Sequence, residues 1–503
     1  MSAPTVDTTT LIIGAGFAGI GTAIRLLQKG HDDFIILERD VRPGGTWRDN
    51  VYPGAACDIP SRLYSYSFAP NPDWSHTYSG SNEILAYIDR MVADHDLERF
   101  IRYSHLAVGI EFDEATGTWR IDIADREPIV ARTVVVASGP LSTPGYPDIT
   151  GIDDYTGHRM HSAAWDHSYD FTGKKVGVIG TGASAVQIIP KLVDAGAEVT
   201  VYQRTPGWVL PRLDRRITSA TRQIYRTVPG TQAAARRLWF WGHESVALGA
   251  VWNSPFTRVI EGVAKLNLRA QVGDPWMRRQ LTPDFRAGCK RLLMTSDYYP
   301  ALQADNCRLI TWPIARICEQ GVRTVEGIER HFDCLVFATG FEIAKQGTPI
   351  PIRGRNGRVL ADEWSRGAYA YKSFAVSGYP NLYFTFGPNS GPGHNSALVY
   401  MEAQIDAIVT AVSLVRDRGL KLLDVHRPAQ DAYNRSIQKR LERTTWNSGC
   451  RSWYLTDDGF NATMFPGFAT QFIGQMRSVD FTRDFRAVAG DEVSVEVRSP
   501  SLA

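Results

Sequence analysis

Two stretches of the chain share one pattern of apolar and polar positions. In the first, the β-branched run Thr10-Leu11-Ile12-Ile13 meets a turn of small residues from Gly14 to Gly19. A helical pattern follows to about Lys29, and a second apolar run, Phe34-Ile35-Ile36-Leu37, ends at Glu38. In the second, Val176-Gly177-Val178-Ile179 leads into the turn Gly180 to Ala185, a helix to about Ala195, and Val199-Thr200-Val201-Tyr202 running on to Arg204. Strand, glycine turn, helix and strand in that order predict two βαβ units and hence an α/β protein. Between about Pro211 and Lys290 the pattern changes to helical spacing rich in arginine and tryptophan, which predicts a helical insertion. Leu335-Val336-Phe337-Ala338 then returns to a sheet, and Asn381-Leu382-Tyr383-Phe384 begins another return. Too little chain precedes residue 140 to complete the layers of the first unit, so the C-terminal part is expected to fold back onto it. The expected division is 1–145 and 381–503 for the first domain, 150–212 and 291–380 for the second, and 213–290 for the insertion. The last dozen residues read as a loose tail.

The turns carry the first candidate chemistry. In Gly14-Ala15-Gly16-Phe17-Ala18-Gly19 the glycines permit a tight bend, close approach of a pyrophosphate to the backbone, and close packing of helix on strand. Glu38, at the end of the following strand, can accept hydrogen bonds from ribose hydroxyls. Gly180-Thr181-Gly182-Ala183-Ser184-Ala185 repeats the arrangement, but Arg204 stands at the offset that Glu38 occupies in the first unit. A guanidinium there favours a 2′-phosphate, which an acid would repel. The pair therefore predicts one site for FAD and one for NADPH.

Composition narrows the class. A chain of 503 residues with 44% hydrophobic and 21% charged residues is an ordinary globular protein of two or three domains. Its formal charge of +2 gives no global reason to expect nucleic acid or an anionic membrane as partner, so any cationic site must be local. Six cysteines lie far apart without C-x-x-C or metal-ligand spacing, as expected of a reduced, cytoplasmic protein in which they are structural. The two most apolar stretches are broken by His243 and Glu244, and by Glu402 and Asp406, which argues against a membrane span.

Further motifs carry a resemblance. Gly45-Thr46-Trp47 with Tyr52-Pro53-Gly54 and Asp58, and Tyr155, Gly157, His161, Trp165 and Asp166, match two signature strings of the Baeyer–Villiger monooxygenases, within the class B flavoprotein monooxygenases. The chain resembles that family over nearly its whole length. The resemblance implies two Rossmann-like dinucleotide-binding domains, for FAD and NADPH, and a small-molecule ketone and O2 as substrates. It also implies conversion of the ketone to an ester or lactone through a flavin C4a-peroxide, with sulfoxidation as a side activity.

The resemblance makes Arg291 the fixed positive charge beside the flavin and Asp58 the residue that orients it. Lys290 joins Arg204 and Thr205 at the 2′-phosphate. Trp47 and Tyr64 line the flavin, together with Arg39 and Thr46, and Trp453 covers the nicotinamide end. His161 and Trp165 would lie in an interdomain linker that couples domain movement to turnover, and His394 and Asn395 are loop candidates for flavin contact. Two alternatives share most of these features: a flavin N- or S-monooxygenase, and a dinucleotide-binding redox protein that oxygenates nothing.

Overall fold

The computed structural model describes residues 6–342, 348–450, 452, 454–456 and 458–490. In the first βαβ unit, strand β1 (Thr8–Ile13) leads into helix α1 (Phe17–Gln28) and strand β2 (Phe34–Leu37). β1 pairs in parallel with β2 on one side and with β3 (Arg126–Val136) on the other. Leu11, Ile12, Val134 and Val135 are fully buried, which is why these strands read as unbroken apolar runs: both faces of a parallel sheet are covered. Leu382–Phe384 lies parallel to the end of β3, so distant chain completes this sheet. Ile352–Arg353 joins the same sheet beside Ala107–Asp113, so the return begins before the expected boundary at 380.

The second sheet is parallel throughout. Its centre is β4 (Lys175–Ile179), followed by helix α2 (Ala185–Asp194) and strand β5 (Glu198–Tyr202). The order is Cys307–Ile310, β5, β4, Cys334–Phe337, His158–His161. His161 thus ends an edge strand and Trp165 packs on Phe171 in that domain's core, so these two residues belong to the second sheet and its core rather than to a free linker.

The insertion leaves and re-enters at one place, where Val209–Leu210 pairs with Leu293–Met294. Its two long helices are α3 (Thr231–Ala250) and α4 (Pro255–Gln271), packed against each other. α4 starts where Ser254 accepts from the Phe256 N–H and Pro255 occupies the first helical position, whose missing donor costs nothing there. Helix α5 (Ala397–Asp417) is long and apolar enough to cross a membrane by length and composition alone. It is instead packed between α1 and helix α6 (Ala469–Arg477). Its acids reach neighbouring elements, Asp406 to Arg25 at 2.8 Å and Glu402 to Arg236 at 3.6 Å.

The cysteines are not all unpaired. Cys289 and Cys450, 161 residues apart, form a disulfide, while Cys57, Cys307, Cys318 and Cys334 are free. Spacing along the chain carries no information about a pairing across so long a loop, and the expectation of six reduced thiols is corrected accordingly.

Candidate functional site

The first glycine turn is built so that no side chain could replace two of its glycines. Gly14 has φ +108° and a Cβ there would lie 2.6 Å from the Ala137 carbonyl oxygen. At Gly19 a Cβ would fall 1.8 Å from the Gly14 carbonyl oxygen, so α1 seats on the turn only without one. Gly16 faces Gly45, which places the Gly45-Thr46-Trp47 string directly against the middle of the turn. Ala18 is buried and Phe17 opens α1, whose N-terminus carries unpaired N–H groups toward the turn.

Glu38 is 3% exposed; one oxygen accepts from the Ala15 N–H at 2.9 Å and the other from the Asp40 N–H and Arg48 at 2.7 Å. The oxygen on Ala15 retains a lone pair, which fits a ribose hydroxyl. Arg48, absent from the sequence reading, is the buried ion-pair partner of this carboxylate. Arg39, by contrast, is half-exposed and paired with Asp49 at 3.0 Å. A cavity of about 800 Å³, counting its open mouth, lies beside this turn and is lined by Ser138, Gly139 and the 384–388 segment among others. Such a crevice at the carboxyl ends of parallel strands is where doubly wound sheets hold ligands.

The second turn repeats the logic with a more open face. Gly180 has φ +115°, and a Cβ would meet the Ala338 carbonyl oxygen at 2.4 Å, whereas Gly182 has open space around it. Gly182 and Ala183 are exposed, and Ser184 half-buried. Thr181 Oγ1 donates to the Thr205 carbonyl at 3.1 Å, tying the turn to the end of β5. Lys290 has its pKa lowered by burial and then by the charge of Arg204, so the two cations lie within electrostatic reach of each other. Among the described residues neither has an ion-pair partner. Two cations converging beside a glycine turn fit a phosphate dianion.

Arg291 and Asp58 come from different domains and meet as a fork: Nε donates to Oδ2 at 2.8 Å and Nη2 to Oδ1 at 2.7 Å. The carboxylate raises the Arg291 pKa further, so its charge is permanent. Nη1 stands outside the fork, leaving one edge of the guanidinium for a ligand. Because Lys290 and Arg291 are consecutive, one step of backbone joins the cation pair at the second turn to the carboxylate of the first domain. Gln187, in α2, adds a second tie: it accepts from Tyr52 Oη at 3.0 Å and donates to the Ala56 carbonyl at 3.0 Å. The sequence reading missed it because nothing local marks a glutamine as an interdomain bridge.

Trp47 and Tyr64 form an aromatic corner, with rings edge to face at 5.5 Å and Nε1 donating to the tyrosine oxygen at 3.2 Å. Burial raises the Tyr64 pKa, and the charges of Asp58 and Arg291 also act on it, which sets this corner near the fork. Arg236 of α3 donates to the carbonyls of Arg62, Leu63 and Ser65 at 2.8–3.3 Å and so clamps the loop that carries Tyr64. Tyr454, pushed up to about 12 by burial, also feels the Arg291 charge. Trp453 lies outside the described residues.

His394 and Asn395 both reach Glu244, at 3.2 and 3.3 Å. That carboxylate also accepts from the N–H groups of Ala469 and Thr470, capping α6 from another helix. The structure thus gives this pair an anchoring contact within the protein. No group of side chains suited to a metal occurs among the described residues.

Known proteins resemble the chain at every level. A family model described as pyridine nucleotide-disulphide oxidoreductase matches residues 11–229. A Baeyer-Villiger monooxygenase of Pseudomonas aeruginosa is 41% identical over 478 residues, covering 93% of this chain and 89% of the relative. Among solved structures, an oxidized steroid monooxygenase bound to NADP superposes with a TM-score of 0.85 at 28% identity, over 96% of this chain and 99% of that one. A complex of OTEMO with FAD and NADP does so at 0.85 and 25% identity, over 96% and 100%.

Proposed function

The chain belongs to the Baeyer–Villiger monooxygenase family, and from that premise we propose that it binds FAD at the first turn and NADPH at the second and converts ketones to esters or lactones. One oxygen atom of O2 enters the product and the other leaves as water, with NADPH supplying the electrons. The observation that supports this reading is the Asp58–Arg291 fork, which leaves one guanidinium edge over.

The flavin, when bound, supplies oxygen activation at its carbon C4a. The residues of this chain position and polarise. Gly14, Gly16 and Gly19 admit the pyrophosphate, and Glu38 takes the ribose. Thr46, Trp47 and Tyr64 wall the ring system. Gly180, Thr181, Gly182, Ala183 and Ser184 cradle the second pyrophosphate, while Arg204, Thr205 and Lys290 select the 2′-phosphate. Arg291 holds a positive charge where negative charge develops on oxygen; a lysine there could surrender its proton. Asp58 fixes the angle of that guanidinium. Sulfides are expected as secondary substrates.

The test supplies FAD-loaded protein with NADPH, O2 and a panel of linear, cyclic and aryl ketones plus one sulfide, with products identified by mass. Esters or lactones are expected. Sulfoxides without esters would mark a heteroatom oxygenase instead, and NADPH oxidation with no oxygenated product would overturn both. We predict that Arg291→Ala keeps NADPH-driven flavin reduction within a few-fold of wild type and loses ester formation by ~100-fold or more; a variant still forming ester would remove Arg291 from its role.

A further inference from the structure

The two long helices of the insertion turn their only carboxylates inward. In α3 this is Glu244, which caps α6, and in α4 it is Glu261, 8% exposed and paired with Arg286 at 3.2 Å. Arg236 of α3 is also turned inward, onto the Tyr64 loop. These anchors fix which faces look outward, and the outward faces are apolar. On α4, Phe256, Val259, Val263 and Leu266 recur at helical spacing and are 45–68% exposed. On α3, Leu238 is 76% and Trp241 60% exposed. Side chains of this size and exposure, on two helices packed against each other, mark an interaction surface.

Its edges are basic. Arg258, Lys265 and Arg269 run alongside the α4 stripe and Arg237 beside that of α3, all exposed and none in an ion pair among the described residues. The near-neutral chain therefore carries a local cationic rim around an apolar face that has no acidic side chain on either helix. A second copy docked here about a two-fold axis would set arginine and lysine against arginine and lysine with no carboxylate to offset them. An anionic bilayer surface meets both features, with phosphates at the rim and the acyl boundary under the apolar stripes. We propose that the outer faces of α3 and α4 dock this protein onto an anionic lipid surface.

The test is vesicle flotation of the FAD-loaded protein with phosphatidylcholine alone or with about a third phosphatidylserine, a content chosen to give a strongly negative surface. Wild type is expected to float with the anionic vesicles, less so in high salt, and little with phosphatidylcholine. Val259→Glu with Leu266→Glu should lower partitioning by ~10-fold or more, since apolar contact is removed and negative charge is added. Lys265→Glu with Arg269→Glu should abolish the preference for anionic lipid. All four side chains are exposed, and unchanged flavin absorbance and thermal midpoint verify that the variants fold. The proposal fails if wild type does not float with anionic vesicles, or if the variants float as wild type does. It fails equally if light scattering shows a dimer that Val259→Glu with Leu266→Glu dissociates while vesicles are ignored, for the occupant is then a second copy.

Discussion

Arg291 is held along one edge by Asp58, and this pairing both aims the guanidinium and offsets part of its charge. Asp58→Asn keeps the shape but removes the charge and one of the two acceptors. We predict that FAD loading and the rate of flavin reduction by NADPH stay within a few-fold of wild type while kcat for the ketone falls ~10–100-fold, the usual effect of losing an orienting partner. Stopped-flow reduction measured beside steady-state turnover checks this; equal loss of both rates would place Asp58 in nucleotide binding instead. At the other cation site, Arg204→Ala with Lys290→Ala should raise KM for NADPH ~10–100-fold and leave KM for NADH nearly unchanged, because only the 2′-phosphate is addressed by the pair. If both nucleotides lose equally, the pair supports the fold rather than the phosphate. Of these four residues, Arg204 was legible from its offset alone. Asp58, Lys290 and Arg291 were legible only through a family likeness, since nothing in spacing shows that residues so far apart will form a fork.

Helix α3 shows why elements are easier to read than their attachments. Its helical period is plain in the sequence, yet Arg236 and Glu244 look like residues of a solvated face. They are in fact its two inward anchors, because their partners lie 150 or more residues away in the chain or in loops with no periodic signal. Burial opposes the Glu244 charge, but hydrogen bonds from His394 and Thr470 outweigh it and hold the carboxyl at about 2. The folded-state value lies below the ordinary carboxylate value of 4.5, so the charged form stabilises the fold. This contribution is complete above pH 4.5 and is lost as pH falls toward about 2. We predict that Glu244→Gln costs roughly 2–3 kcal/mol at neutral pH, a buried charged acceptor having been removed from several donors. Urea denaturation at stepped pH should show the gap between wild type and variant narrowing as pH falls from 4.5 toward about 2. A gap independent of pH would mean that packing, not charge, holds α6 in place. β1, β2, β4, β5, Cys334–Phe337 and Leu382–Phe384 needed no such partners to be recognised, since burial on two faces writes itself into sequence as unbroken apolar runs, whereas half-exposed strands such as Ala107–Asp113 were not read. The return of residues near 352 to the first sheet was not legible, because a two-residue strand has no pattern to read.

Across the whole molecule, the Cys289–Cys450 bond ties the loop carrying Lys290 and Arg291 to the C-terminal segment that bears Tyr454. This adds a covalent link between the insertion and the chain that completes the first domain, next to the ionic fork and the Gln187 bridge. Closing a loop of 161 residues restricts the unfolded chain by at most about 5 kcal/mol in the chain-entropy picture. Dithiol reductants oppose such a bond, by thiolate attack that leaves two thiols and an oxidised dithiol. Oxidation state should therefore set how firmly the active loop is held. We predict that alkylation of the unfolded, non-reduced protein labels four cysteines and that dithiothreitol exposes two more, at positions 289 and 450. Cys450→Ser should lower the thermal midpoint under oxidising conditions and match wild type in dithiothreitol, because both proteins then lack the cross-link. KM for NADPH should rise in the reduced and the variant forms alike, since Lys290 sits beside the released cysteine, while the flavin stays bound by contacts the bond does not touch. Six labelled cysteines without reductant would show that no bond forms, and the loop would then depend on the Asp58–Arg291 fork and its packing alone.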